Sequence, residues 1–134
     1  MALNNLLNDS IIRIKNGYKS RKPIIVLQKS NISIKILEIL RNEGYIRGFT
    51  IQNQSINVLL KYFQDRAVIT NIISHSPLST ENTLSFKQLK LLCENKKKRT
   101  NGLTLNILST PIGILSDYDC LNNKQGGKLL LTIL

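Results

Sequence analysis

The sequence predicts a mixed α+β protein of two lobes, an N-terminal one of order α-β-α-β-β and a C-terminal one that is β-rich with a short helix. Three observations carry that expectation. Apolar residues recur at helical spacing near the start, where Leu3, Leu6, Leu7, Ile11 and Ile14 mark one stripe. They alternate at the period of a strand in "INVLLKYF", "LTLNIL" and "KLLLTIL". Between these runs stand short polar stretches rich in Gly, Asn, Ser and Pro, which are turn chemistry.

Taken in order, the first stripe predicts a helix over residues 3–16, with Arg13 and Lys15 off its buried side and Gly17 ending it. "KSRK" reads as a solvated basic loop. Pro23 then introduces "IIVL", too short for a helix and β-branched, hence a strand. Ser30 is placed to cap a second helix carrying Ile32, Ile36, Ile39 and Leu40, which closes at Gly44. "YIRGFTI" and "INVLLKYF" flank the polar "QNQS" and predict a hairpin.

"QDR" reads as the link between lobes, which places the N-terminal one at 1–66 and the C-terminal one at 67–134, the latter opening on the strand "AVITNIIS". A short helix is expected at "FKQLKLLCE" and a charged loop at "NKKKRTN". "LTLNIL" is a strand that runs into "STPIG", a sharp turn through Pro111 and Gly113. "SDYD" has the Ser-x-x-Asp form of a capping box, so a short helix follows Ser116. "NNKQGG" turns into the last strand, "KLLLTIL".

Charge bounds the function. Nineteen Lys and Arg against eight Asp and Glu leave +11 in 134 residues, which favours a polyanionic partner because neutralised phosphates release condensed counterions. No membrane is implied, since the apolar runs are short and broken by Asn, Lys and Ser. "MALNNLLNDS" lacks the basic start and apolar core of a secretory signal and carries no arginine-rich presequence. A composition heavy in Ile, Asn, Lys and Leu, without Trp, suggests an AT-rich genome and synthesis inside an organelle.

Catalysis finds little to work with. His75, the one histidine, has no nearby carboxylate in sequence to orient it as a base, and Asp117 and Asp119 are accounted for by helix capping. Cys93 and Cys120 are far apart, so neither a metal site nor a disulfide framework is expected, and no cofactor motif occurs. An RNA-acting enzyme built on His75 or Cys93 is the weaker alternative. The basic residues are instead scattered over both halves, which suits a folded RNA held from several sides. Hydroxyls and bare glycine backbone at "STPIG" and "GG" suit an exposed base or sugar.

The chain resembles the small-subunit ribosomal protein eight family of bacteria and organelles over nearly its whole length. "DSIIRIKNG", "ILRNEGYI", "LKYFQDRAVI", "GLTLNILSTPIGILSD" and "GGKLLLTI" are similar to the family's fragments, in the same order and at compatible spacing. The resemblance implies a non-catalytic constituent of the small ribosomal subunit, needing no cofactor and no metal. It implies binding to the central domain of small-subunit rRNA, beside neighbouring ribosomal proteins, in support of assembly and translation. An mRNA regulator that binds a copy of the rRNA site is the alternative.

Carried over position by position, the RNA contacts implied are Arg13, Lys15, Asn16, Lys61, Phe86, Ser109, Thr110, Pro111, Gly113, Gly126, Gly127 and Lys128. The chain departs from the family pattern at Pro111 and Ile112, where Ser and Lys are usual, and at Lys128, where Glu is usual. The family's S-[RK]-P-G is reduced to Ser76, Pro77, Leu78. With the composition, these departures place the protein in the mitochondrial matrix, with chloroplast and bacterial cytoplasm as alternatives.

Overall fold

A computed structural model of the chain describes residues 2–75, 83–100 and 104–134, with side chains described for 7–75, 83–95 and 104–134. Ser76, Pro77, Leu78 and Leu103, and the side chains of Leu3, Leu6 and Lys96 to Arg99, therefore lie outside the described residues. The protein is α+β, with antiparallel sheets in two compact units, Met1–Asn71 and Ile72–Leu134. No described helix is long and apolar enough to cross a membrane.

In the first unit, α1 (Ala2–Lys19) and α2 (Asn31–Asn42) accompany a three-stranded sheet of order β1-β3-β2, with β1 at Ile24–Gln28, β2 at Ile46–Gln52 and β3 at Ser55–Leu60. Ser30 caps α2 as expected, its hydroxyl accepting from the Ser33 N–H, and Gly44 follows the helix in the left-handed region at φ +83. The buried Ser33 also accepts from the Ser30 hydroxyl at 2.8 Å and lies 3.3 Å from the Ser10 hydroxyl of α1. Small hydroxyl residues let the two helices approach without orphaning a polar atom.

Gly17 does not end α1, which continues to Lys19. Its glycine serves packing instead: a Cβ there would stand 2.5 Å from Cγ2 of Ile25 and 3.0 Å from Cδ1 of Leu60. "QDR" is not a link either. Tyr62–Phe63 (β4) and Arg66–Ala67 (β5) pair as a miniature hairpin, and Gln64 (φ 51) and Asp65 (φ 61) form its two-residue turn. The "INVLLKYF" strand consequently stops at Leu60.

The second unit holds a five-stranded sheet of β6 (Ile72–Ser74), β7 (Thr83–Leu84), β8 (Leu105–Thr110), β9 (Gly113–Ser116) and β10 (Gly127–Ile133). β10 is its centre, bonded to β6, β7 and β8, while β9 pairs with β8. Helices α3 (Phe86–Thr100) and α4 (Asp117–Asn122) pack through Leu89, Cys93 and Cys120 on Leu108. Only Ile72–Ser74 of "AVITNIIS" joins this sheet, because Ala67 is taken by β5.

The charged loop expected at "NKKKRTN" is helical as far as Thr100. Ser85 and Gln88 explain the firm start: the Ser85 N–H donates to Oε1 of Gln88 at 2.9 Å and the Gln88 N–H to the Ser85 hydroxyl at 3.3 Å, a reciprocal cap. Lys, Arg and Glu are good helix formers and carry it on. Ser116 caps α4 as its sequence implies.

Candidate nucleic-acid interface

The turn "STPIG" is the tip of the β8–β9 hairpin. Thr110 and Gly113 are cross-strand partners, so Pro111 and Ile112 form a two-residue turn, and Gly113 sits at φ +134, where a side chain is strained. The Thr110 hydroxyl donates to the Gly113 carbonyl at 2.7 Å and holds the turn shut. Ser109, Pro111, Ile112 and Gly113 are exposed.

Register assembles the rest. Lys128 is the direct partner of Ser109 across β8 and β10 and of Thr83 across β7, so an ammonium and a hydroxyl share one face of the sheet. The two glycines before it are forced by close approach. A Cβ on Gly126 would stand 2.5 Å from the Leu84 carbonyl oxygen and 3.0 Å from the Phe86 N, and one on Gly127 would stand 2.6 Å from the Ser109 carbonyl oxygen. Phe86, half-buried at the start of α3, is thereby beside Gly126. Phe86, Ser109, Thr110, Pro111, Gly113, Gly126, Gly127 and Lys128 thus form one locality of the second unit.

The other four expected contacts belong to the first unit. Lys15 and Asn16 are exposed on α1, and Asn16 joins Arg13, Ser20 and Lys22 around a hollow of about 460 Å³ beside β1. Arg13 already spends part of its fork, pairing Nε with Asp9 at 3.1 Å and donating Nη1 to the Val26 carbonyl at 3.1 Å. Lys61 is tied inward, its Nζ donating to the Gly44 carbonyl at 3.1 Å, where it closes the C-terminal end of α2.

Sequence reasoning missed a polar line that crosses the second unit. His75 Nε2 lies 2.8 Å from the Thr132 hydroxyl, which donates to Oδ1 of Asn106 at 2.9 Å, and Nδ2 of Asn106 donates to Oδ2 of Asp117 at 3.3 Å. Since the Thr132 proton is committed to Asn106, His75 must donate through Nε2–H. Asp117 also accepts from the Tyr118 N–H at 2.9 Å and faces Sγ of Cys93 at 4.0 Å. Asp117 is 0% exposed, so helix capping alone does not account for it, and His75 is connected to a carboxylate after all. The only sequence signal was a polar residue at Asn106 and at Thr132 within otherwise apolar strands.

Burial lowers the His75 pKa from its ordinary value. Burial, with Asp117 and Asp119 adding to it, pushes the Cys120 thiol up to about 11. That is an unreactive thiol. Among the described residues no group of three or more His, Cys, Asp or Glu is placed to hold a metal ion. What the surface offers is hydroxyls, cations and bare backbone, which suits recognition.

Residues 5–134 match a family model described as Ribosomal protein S8. A "Small ribosomal subunit protein uS8" of Azorhizobium caulinodans is 33% identical over 138 residues, covering 99% of each chain. Proteins of the same name from Sphingopyxis alaskensis and Zymomonas mobilis subsp. mobilis are 30% and 31% identical over 140 and 137 residues, again covering 99% of each chain.

Proposed function

The chain belongs to the ribosomal protein S8 family, and from that premise we propose that it holds a junction in the central domain of small-subunit rRNA in one conformation, as a constituent of the small ribosomal subunit. Its two units, Met1–Asn71 and Ile72–Leu134, both grip the RNA. Arg13, Lys15, Asn16 and Lys61 position the phosphate backbone from the first, and the locality around the β8–β9 hairpin reads an irregular base or sugar from the second. Neighbouring ribosomal proteins complete the site, and the ribosome concerned is mitochondrial, as the Ile-, Asn- and Lys-rich composition suggests.

One observation carries this reading: Ser109 is exposed at a hairpin end, with Lys128 as its cross-strand partner and Gly127 packed against its carbonyl. A hydroxyl that can donate or accept stands beside a cation on a paired backbone. The test is binding of the purified protein to a central-domain fragment of its own rRNA and to a generic duplex of equal length, at near-physiological salt. The fragment should bind much more tightly, and Ser109→Ala should reduce that preference by about 5- to 100-fold, the range for one lost hydrogen bond to a desolvated partner. Equal affinity for both RNAs contradicts the reading. Co-sedimentation with small subunits separates a ribosomal constituent from an mRNA regulator.

A further inference from the structure

Phe63 is the most exposed large apolar side chain among the described residues, at 68%. It is also held firmly. Its neighbour Tyr62 points the other way, donating its hydroxyl to the Lys22 carbonyl at 2.7 Å, with the Gly17 carbonyl 3.3 Å away and the Tyr18 ring edge-on at 5.5 Å between centroids. Gln64 and Asp65 both adopt left-handed backbone to make the shortest turn. Such a conformation is unfavourable for a glutamine, though aspartate tolerates it. The hairpin therefore accepts local strain and a clamped base while leaving one aromatic face in water.

A cation stands beside that face. Arg66 is the direct cross-strand partner of Phe63, so their side chains share the outer side of the hairpin. Arg21 lies on the Tyr62 side instead, lining a hollow of about 250 Å³ with Tyr62 and Asp65. Arg66 thus carries its charge beside the exposed ring, in a chain of net charge +11. A planar π surface with a guanidinium beside it matches a nucleotide out of its stack: the base lies on the ring and the phosphate meets the fork. A purely apolar protein patch would gain nothing from that arginine.

Resting on the RNA-binding reading above, we propose that Phe63 and Arg66 form a nucleotide clamp, Phe63 stacking on an unpaired base of the bound RNA and Arg66 holding its phosphate. The site belongs to the first unit, the β8–β9 hairpin to the second. The sequence contains no tryptophan, so Phe63→Trp installs a single indole as reporter on the full-length protein.

The probe is a transcript of the central domain of the source organism's small-subunit rRNA. Phe63→Trp should keep wild-type affinity within about threefold, since an indole stacks at least as well as a phenyl ring. Its emission should be quenched on RNA addition and become shielded from acrylamide. Phe63→Leu, similar in apolar character but without a π face, should bind about tenfold or more weakly while melting with the wild type. Arg66→Gln should lower the salt slope of binding by about one counterion. Tight binding of RNA with unchanged indole emission, and with Phe63→Leu equal to wild type, overturns the clamp and leaves the RNA-binding reading standing. Quenching seen only after assembly into whole subunits, with Phe63→Leu binding RNA normally, assigns the ring to a protein neighbour and also overturns it. Loss of any preference for the transcript by the wild type sinks the underlying reading first, and the clamp with it.

Discussion

The side-chain amide of Asn106 donates to the carboxylate of Asp117 across 3.3 Å, joining β8 to the start of α4 in a place where Asp117 is wholly buried. The two residues bracket the hairpin whose tip carries Ser109 and Thr110. A buried carboxylate stripped of a donor is costly, while one given an exchanged partner need not be. Asp117→Ala should cost about 2–4 kcal/mol in denaturant unfolding, and Asn106→Asp about 3 kcal/mol or more by setting two carboxyl groups together. The reciprocal exchange of both residues keeps the bond between them and the one to Thr132, losing only the weak acceptor of the Cys93 thiol: the amide at 117 donates to the carboxylate at 106, which still accepts from Thr132. A double-mutant cycle should therefore return a favourable coupling of about 1.5 kcal/mol or more; additive losses would mean the pair does not act as one.

Gly127 offers a sharper packing test. Its absent Cβ would fall 2.6 Å from a backbone oxygen of Ser109, which cannot step aside without moving β8. Gly127→Ala should cost about 2 kcal/mol or more and weaken RNA binding per folded molecule. Gly48→Ala, where nothing lies within 4 Å, should change stability by no more than about 0.5 kcal/mol and serves as the control. Equal melting points for the two variants would refute the close-approach argument.

Stability should depend on pH through His75. Its pKa is lowered in the folded protein by burial, so the unfolded chain takes up the proton first as pH falls. The contribution is fully present above the unfolded value of about 6.5 and is lost as pH drops through the folded value below it. Unfolding measured between about pH 7.5 and pH 5 should show this decline in the wild type. His75→Gln, whose amide can still donate to Thr132, should flatten it, and a decline of the same size in that variant would assign the effect to other groups.

Lys128 can only donate, and it shares a sheet face with Ser109. As a phosphate positioner it should contribute to specific and non-specific binding alike. Lys128→Gln is expected to lower the salt slope by about one counterion, and Lys128→Glu to weaken binding further. Titrations of all three proteins on one rRNA fragment decide the matter: an unchanged slope for the glutamine variant, or tighter binding by the glutamate variant, excludes the contact.

Local chemistry was legible in the sequence and register was not. Ser30, Gly44 and Ser116 cap helices with their own neighbours, so a short window suffices to find them. Gly17 misleads for the opposite reason, since what makes it glycine is Ile25 on a different element. Gln64 and Asp65 hide a turn because Gln64 is not a usual residue for left-handed backbone and no glycine follows Asp65. At the site, the hydroxyls of Ser109 and Thr110 announce themselves as a turn. Their partnership with Lys128, and the line from His75 to Asp117, exist only once β10 has been laid between β6 and β8.

Arg13 has a consequence for the protein before it meets any RNA. β1 is an outer strand of its sheet, and the Pro23 carbonyl, three residues from Val26, accepts from Leu60 on β3, so the Val26 carbonyl points away from that partner. Ile24 and Val26 are also exposed there, which makes the strand a template on which a second unassembled copy could lay its own. The guanidinium of Arg13 occupies that carbonyl, anchored from behind by Asp9. That side chain covers part of a sticky rim, and Arg13→Ala should lower the concentration at which the free protein precipitates.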